Sequence, residues 1–415
     1  MDKAIVNWAG NITYGARAVH LPGSLDELQA VVRAAGKVRA LGSRHSFNTI
    51  ADTDADLVSL IRMSRVLKID AVARTVTAEG GITYGQLCPI LHKAGFAIPN
   101  LASLPHISVA GAVATATHGS GVGNGNLATA ISGLELVTAS GDLVTLKRGD
   151  ADFSGAVVSL GALGVVSKVT LDLQPAFDIR QTVYLGLPAD SLEQDFDAIA
   201  SAGYSVSFFT QWQGEEVEQV WLKALADDSE APAELFGAKR ALAPSHPISS
   251  IDAAPCTEQM GAAGPWHLRL PHFRMEFTPS AGAELQSEYF VPRKDAVAAF
   301  GALRGIQHLI APHLLISEIR TIAADELWLS MNHQRDSVAF HFTWKQDWNA
   351  VRAVLPEIEA ALRPFGVRPH WGKLFTMPAA DIQPGYTRLG DFRDLAQKFD
   401  PAGKFRNDFV SANLF

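Results

Sequence analysis

The apolar and polar positions of this chain change their pattern near Pro175 and again near Phe375. Before the first change, helical and strand patterns alternate. Residues 22–36 carry the helical pattern, with Ser24 as N-cap, Asp26 and Glu27 in the first turn and Gly36 as the stop. Residues 83–95 predict a second helix. Residues 38–41 predict a strand, and residues 75–79, 134–138 and 165–173 predict three more, rich in β-branched side chains. From about residue 176 to 375, longer strands alternate with helices, interrupted by a Pro-, Ala- and Gly-rich loop at about 227–264. Residues 376–415 return to short helices and turns. There is no long internal repeat and no low-complexity tract. The pattern predicts an α+β chain of two domains, and 415 residues is ample for a large buried core.

Three segments stand out because they have little side chain to pack with. The first, Leu41-Gly42-Ser43-Arg44-His45-Ser46-Phe47-Asn48, follows a predicted strand and projects one histidine beside two serines. A turn of small residues lets backbone N–H groups approach a ligand, most often an anion. A histidine ring nitrogen can also bond a cofactor or a metal covalently. Alone, the turn reads equally well as a surface loop with an incidental histidine. The second segment runs from Asn100 to Gly121 and includes Ala102-Ser103-Leu104-Pro105 and Ser108-Val109-Ala110-Gly111-Ala112-Val113-Ala114-Thr115-Ala116-Thr117. The third, Ser159-Leu160-Gly161-Ala162-Leu163-Gly164-Val165-Val166, enters a β-branched strand. Such backbone commonly lies against a phosphate or a ring system, and the ordered set of three is far more specific than any one member.

Two predicted strands carry polar groups on one face. In residues 314–321, alternation places Glu318 and Arg320 on one side beside Ile316. In residues 339–345 it aligns His341, Thr343 and Lys345, with Phe340, Phe342 and Trp344 facing the other way. By pattern alone, the polar faces read more readily as solvent-facing.

Other motifs are set aside. Gly123-Asn124-Gly125-Asn126-Leu127-Ala128 fits a dinucleotide fingerprint, but it feeds a predicted strand, so it is read as a Gly/Asn loop and not a nicotinamide site. His106, His118, His246, His267, His272 and His333 are read as loop or core histidines. No H-E-x-x-H, C-x-x-C or G-x-S-x-G pattern is present, so neither a metal nor hydrolase chemistry is expected.

A net charge of −8 and a pI near 5.9 argue against nucleic acid or an anionic membrane as partner. The amino-terminal stretch lacks a signal-peptide h-region, and no apolar run reaches the roughly 18–20 residues of a membrane span. Cys88 and Cys256 make no disulfide framework and fit a reducing cytosol, so a cytoplasmic monomer is expected.

The ordered small-residue set resembles the vanillyl-alcohol-oxidase type of FAD-dependent flavoprotein and, within it, the sugar-alcohol (alditol) oxidases. The resemblance covers essentially the whole chain. It takes in Asn7-Trp8-Ala9-Gly10-Asn11, Arg368-Pro369-His370-Trp371-Gly372-Lys373 and Asp400-Pro401-Ala402-Gly403-Lys404-Phe405. The last motif is shared with sugar-lactone oxidases, and Arg44 stands where many relatives carry glycine.

The resemblance implies an FAD-binding domain over 1–175, a substrate (cap) domain with a large antiparallel sheet over 176–375, and a tail, 376–415, that packs back on the first. It implies FAD joined to His45 and held by Leu41, Gly42, Ser43, Arg44, Ser46, Phe47, Ser103, Ser108, Gly111, Ala114, Thr115, Ala116, Thr117, Val166 and His370. Some relatives add a second flavin bond from cysteine, but Ala102-Ser103-Leu104 offers none.

The implied reaction oxidises the terminal CH₂OH of a polyol such as xylitol or sorbitol and reduces O₂ to hydrogen peroxide. It requires a proton acceptor, positive charge near the reacting oxygen and several fixed hydrogen-bonding groups, because each unpaired buried hydroxyl costs roughly 1–3 kcal/mol. By resemblance Ser103, Glu318, Arg320, Thr343 and Lys373 bind substrate, and Lys373, Arg320 and His341 carry the chemistry. The proton acceptor is left open between His341, Lys373 and bulk water. A sugar-1,4-lactone oxidase or dehydrogenase, an electron-passing flavin subunit and a silent binding protein are the rival functions.

Overall fold

The computed structural model describes residues 5–277 and 283–415; the first four residues of the stretch read for a signal peptide lie outside that range. The first predicted helix spans Leu25–Ala34, and the Ser24 side chain accepts a hydrogen bond from the Glu27 N–H. Its Leu28 and Val32, one turn apart, are buried against Val38, Val58, Val137 and Phe405. The second helix, Tyr84–Lys93, begins with a reciprocal Thr83–Gln86 capping box. Strands at Thr75–Glu79 and Val165–Asp172 fall where the pattern puts them, and the strand predicted at 134–138 begins earlier, at Ile131.

These strands build two sheets. A parallel sheet of three joins Ala18–His20, Asp56–Val58 and Val38–Ala40. An antiparallel sheet of five runs in the order Val66–Asp70, Thr75–Glu79, Val165–Asp172, Ile131–Val137, Leu143–Lys147. The Gly/Asn loop at 123–128 leads through a 3₁₀ turn (Leu127–Ala130) into the Ile131 strand, in no strand–helix–strand unit.

From Asp178 onward the chain forms an antiparallel sheet of ten strands among the described residues. At its centre Ser205–Thr210, Leu314–Ile322, Ser337–Lys345 and Glu284–Pro292 lie side by side. The loop expected at 227–264 is less irregular than its composition suggests. Glu234–Leu235, Ala238–Arg240 and Gly264–Pro265 pair as short strands along one edge. Backbone groups there find ladder partners that side-chain composition does not announce.

One face of this sheet is apolar. Phe340, Phe342 and Trp344 are buried with Phe208, Ile319, Phe300 and Val351, and the Tyr289 hydroxyl donates to Glu359 on helix Trp348–Leu362. Each such large side chain contributes about 1.5–3 kcal/mol by leaving water. The opposite face carries Glu288, Glu318, Arg320 and His341 and is also buried. The solvent-facing reading of these strands is thereby corrected. Lys345 alone follows it: at the strand end it is exposed, and its ammonium donates to the Pro312 carbonyl.

The carboxyl-terminal residues return to the first two sheets. The Val38 N–H donates to the Lys404 carbonyl, and the Asn407 side chain donates to the carbonyls of Thr49, Ile50 and Asp52. Between the sheets, Gly81 lets the backbone pass close to Leu60. A Cβ there would lie 2.7 Å from the Met63 carbonyl oxygen and would overlap the Leu60 carbonyl. Gly81→Ala is therefore expected to lower stability by about 1–3 kcal/mol, read as a lower urea midpoint at unchanged slope.

Candidate active site

The three small-residue segments converge on one cavity of about 650 Å³. Two of them cross at Ser43 and Ser108, where each backbone N–H donates to the other's side-chain oxygen (3.3 and 3.1 Å). A Cβ on either Gly42 or Gly111 would come to 2.7 Å from the Ser108 Oγ, so glycine is what permits the crossing. Arg44 lies in the left-handed region (φ 64°) that glycine favours, and its guanidinium points outward to the Val6 carbonyl. Its guanidinium is thus tied to the amino-terminal segment while the residue lines the cavity.

The His45 ring stacks on Trp8 at 5.3 Å and 21°. Its Nδ1 is buried without a hydrogen-bond partner, and burial above all lowers the ring's pKa to about 4. The adjoining residues are tied to the loop that carries Lys373. The Phe47 N–H donates to the Gly372 carbonyl (2.8 Å), and the Asn48 Nδ2 donates to the carbonyls of Trp371 and Lys373 (2.9 and 2.7 Å).

The far wall of the same cavity is the polar face of the large sheet. Register places Glu288, His341 and Glu318 in one row across three strands. Glu288, at one end of that row, is fully buried. It accepts from Lys373 Nζ (2.8 Å) and Arg320 Nη2 (2.7 Å), and His118 Nε2 lies at 3.1 Å. Burial alone would raise this carboxyl's pKa, but Lys373, His118 and Arg320 together hold it well below the usual range. Glu318 is held low in the same way by Arg320 and His272, against the push of burial. The Arg320 Nη1 also reaches the Ser103 hydroxyl at 3.5 Å.

Lys373 is the more labile cation: burial first of all lowers its pKa, against a pull upward from Glu288. Its Nζ lies 2.6 Å from His341 Nδ1, and His341 Nε2 lies 3.1 Å from the Thr343 hydroxyl. Burial, with Lys373 adding to it, lowers the His341 pKa to about 4. The neutral ring that satisfies both contacts accepts at Nδ1 and donates from Nε2.

Almost every residue singled out in the sequence lines this cavity. Ala116 does not: the turn after the helix Val109–Ala114 gives it φ 52° and buries its methyl in the core. Among the histidines read as structural, His106, His118, His246 and His272 line the cavity too. His118 and His272 are each within hydrogen-bond reach of a wall carboxylate. Glu288 had no motif to announce it; only the alternation Glu284, Gln286, Glu288 in an otherwise apolar strand pointed to a polar face.

These features suit a flavin dinucleotide: a side-chain-poor cradle, an aromatic-stacked histidine with an open ring nitrogen, and a cavity of ligand size. Comparison with known proteins agrees. Residues 16–147 match the FAD binding domain family, and residues 283–413 match the D-arabinono-1,4-lactone oxidase family. An alditol oxidase of a Streptomyces species is 51% identical over 99% of both chains. An L-gulono-1,4-lactone dehydrogenase of Mycobacterium tuberculosis is 29% identical over 97% of both. The crystal structure of cholesterol oxidase from B. sterolicum superposes with a TM-score of 0.79, covering 99% of this chain and 96% of that one; at 15% identity the likeness concerns the fold.

The fold and the cradle are those of an FAD-dependent oxidoreductase of the vanillyl-alcohol-oxidase type. Within that class the chain belongs to the alditol oxidase family.

Glu288→Gln removes the charge that balances Lys373 and Arg320 in a dry wall. It is expected to lower stability by about 3 kcal/mol or more at neutral pH, measured by denaturant unfolding. Both wall carboxyls titrate lower folded than unfolded. Their contribution is complete above the ordinary carboxylate range near 4.3 and is lost as pH falls through the folded values, so the variant's acid loss is the smaller.

Proposed function

We propose that this protein oxidises the terminal CH₂OH of a linear polyol such as xylitol or sorbitol to the aldose, with hydrogen peroxide as the second product. The observation that carries this reading is the convergence of Ser103, Glu318, Arg320, Thr343 and Lys373 on the wall of one cavity. That density of fixed donors and acceptors suits a ligand with several hydroxyls, since a less polar substrate would leave their remaining hydrogen-bonding capacity unused.

Bound FAD would supply the two-electron acceptor for the alcohol's hydride, with oxygen as the final oxidant. The chain's own residues handle charge and proton. Glu318 accepts hydrogen bonds from substrate hydroxyls, and Ser103 binds a more distal one. Arg320, whose charge Glu318 and Glu288 reinforce against burial, stabilises the developing alkoxide. Lys373 and His341 are in direct hydrogen-bond contact, and the hydroxyl proton goes to Lys373 in its neutral form, to His341 or to bulk water.

The cradle's Leu41, Ser46, Phe47, Ala114, Thr115, Thr117, Val166 and His370 would enclose the cofactor, and His45 would bond it covalently. The open Nδ1 beside Trp8 supports that attachment. We assign residues 1–175 to FAD binding, 176–375 to the substrate side and 376–415 to a tail that completes the first part. The contacts of Lys404 and Asn407 support that partition. The acidic charge and the two buried cysteines fit a cytoplasmic monomer that acts on small molecules without nucleic acid or membrane. Among the described residues no helix is long and apolar enough to cross a membrane.

The match at 283–413 favours a second reading, oxidation of a 1,4-lactone, and peroxide release from xylitol against a 1,4-lactone separates the two.

Acid-precipitated wild-type protein should keep its yellow colour in the pellet, whereas His45→Ala should release it to the supernatant; a colourless wild-type pellet rejects the covalent bond. Lys373→Met keeps most of the stem's packing and deletes the charge. Anaerobic reduction by xylitol should then slow by about 100-fold or more, the scale seen when one preorganised donor is lost. Fast reduction with slow reoxidation would move Lys373 to the oxidative half-reaction.

A further inference from the structure

One buried cation has no part in the chemistry above. Lys223, on the strand Glu216–Leu225, is 1% exposed. Its ammonium donates to the carbonyls of Leu270 and Pro271 and lies 3.2 Å from His272 Nδ1. An ammonium has three N–H donors and no acceptor, so these contacts use all of them. They also leave His272 Nδ1 as the acceptor, which puts the ring proton on Nε2. That nitrogen faces Glu318 Oε1 at 2.7 Å. The other charged contact of this oxygen, Arg320 Nε, is longer, at 3.6 Å. The His272 donor therefore does most to fix where the carboxylate points.

The same segment also reaches Ser103. The backbone N–H groups of His272 and Phe273 both donate to the Ser103 carbonyl (3.2 Å each), while the Thr257 hydroxyl donates to the Pro271 carbonyl (2.7 Å). Residues 270–273 thus form a strap touching two groups that arise from distant parts of the chain, Ser103 and Glu318. Lys223 holds that strap by two of its carbonyls and its histidine.

We propose that Lys223 and His272 are positioning residues that fix the spacing between Glu318 and Ser103, and so select the length of polyol accepted. The proposal rests on the reading of Glu318 and Ser103 as hydroxyl-binding groups. Lys223 acts through the His272 tautomer, and His272 acts through its Nε2–H on Glu318 and through its peptide on Ser103. Burial lowers the Lys223 pKa to about 7, and the ammonium form is the one that donates to all three partners.

The test compares FAD-loaded wild type with Lys223→Met, His272→Leu and His272→Gln, whose side-chain amide can replace the Nε2–H donor. KM and kcat are measured on glycerol, xylitol and sorbitol. Lys223→Met and His272→Leu should raise KM for the preferred polyol roughly tenfold or more, with a smaller change in kcat and a flattened preference for chain length. His272→Gln should recover most of that loss. In a Glu318→Gln background, Lys223→Met should add little, because it acts through the same group.

Additive losses, an equal fall in kcat on every substrate, or no advantage of Gln over Leu would overturn the proposal. Should Lys223→Met fail to fold, ¹⁵N spectra of wild-type His272 decide instead. A neutral Nε2–H ring upholds the dyad, and a proton on Nδ1 overturns it. If wild type oxidises no polyol, the substrate reading falls, and the ring tautomer judges the dyad separately.

Discussion

The carboxylate of Glu288 is the group on which the cavity wall depends. It is fully buried, yet it is ionised because Lys373, Arg320 and His118 surround it. Each of those groups, alone at that depth, would lose its charge or leave the wall, since burying an unpaired ion costs several kcal/mol. Glu318 repeats the arrangement beside it with Arg320 and His272. Two carboxylates thus stand against Arg320, Lys373 and, one layer back, Lys223. Arg320 and Lys373 line the cavity, so an alkoxide forming there would meet positive charge already in place.

That wall can be built because the sheet separates its two faces so completely. Phe340, Phe342 and Trp344 fix one side of their strand in an aromatic layer, which turns His341 and Thr343 toward the cavity. Antiparallel pairing then sets Glu288 and Glu318 in the His341 row on the neighbouring strands. A slip of one residue in either pairing would send a carboxylate into the aromatic layer, and its burial cost makes the register unambiguous.

The cofactor cradle and the polar wall are locked together. Through Phe47 and Asn48 the His45 segment holds the backbone of Trp371, Gly372 and Lys373, and the Trp371 indole is anchored in turn on the Leu329 carbonyl. The position of the proposed attachment histidine therefore also sets the position of the ammonium that faces Glu288. Two segments about 325 residues apart become one rigid unit.

Much of this was legible in the sequence because it depends on local rules. Caps at Ser24 and Thr83, β-branched strands and side-chain-poor turns follow from the properties of single residues and their near neighbours. Alternation likewise put Glu318 with Arg320 and His341 with Thr343. It could not say whether that face met water or a cavity, because burial is a property of what packs above. Glu288 and Lys223 went unread, and His118 and His272 were read as structural, for the same reason: what each side chain meets is set by distant parts of the chain. Only the tertiary structure, which brings Glu288 to Lys373 and Lys223 to His272, turns them into a charge network. The sequence alone determined the elements and the small-residue cradle through short-range sterics and hydrogen bonding. The tertiary structure decided which charges are buried together, because pairing across strands and loops depends on distances that no local pattern contains.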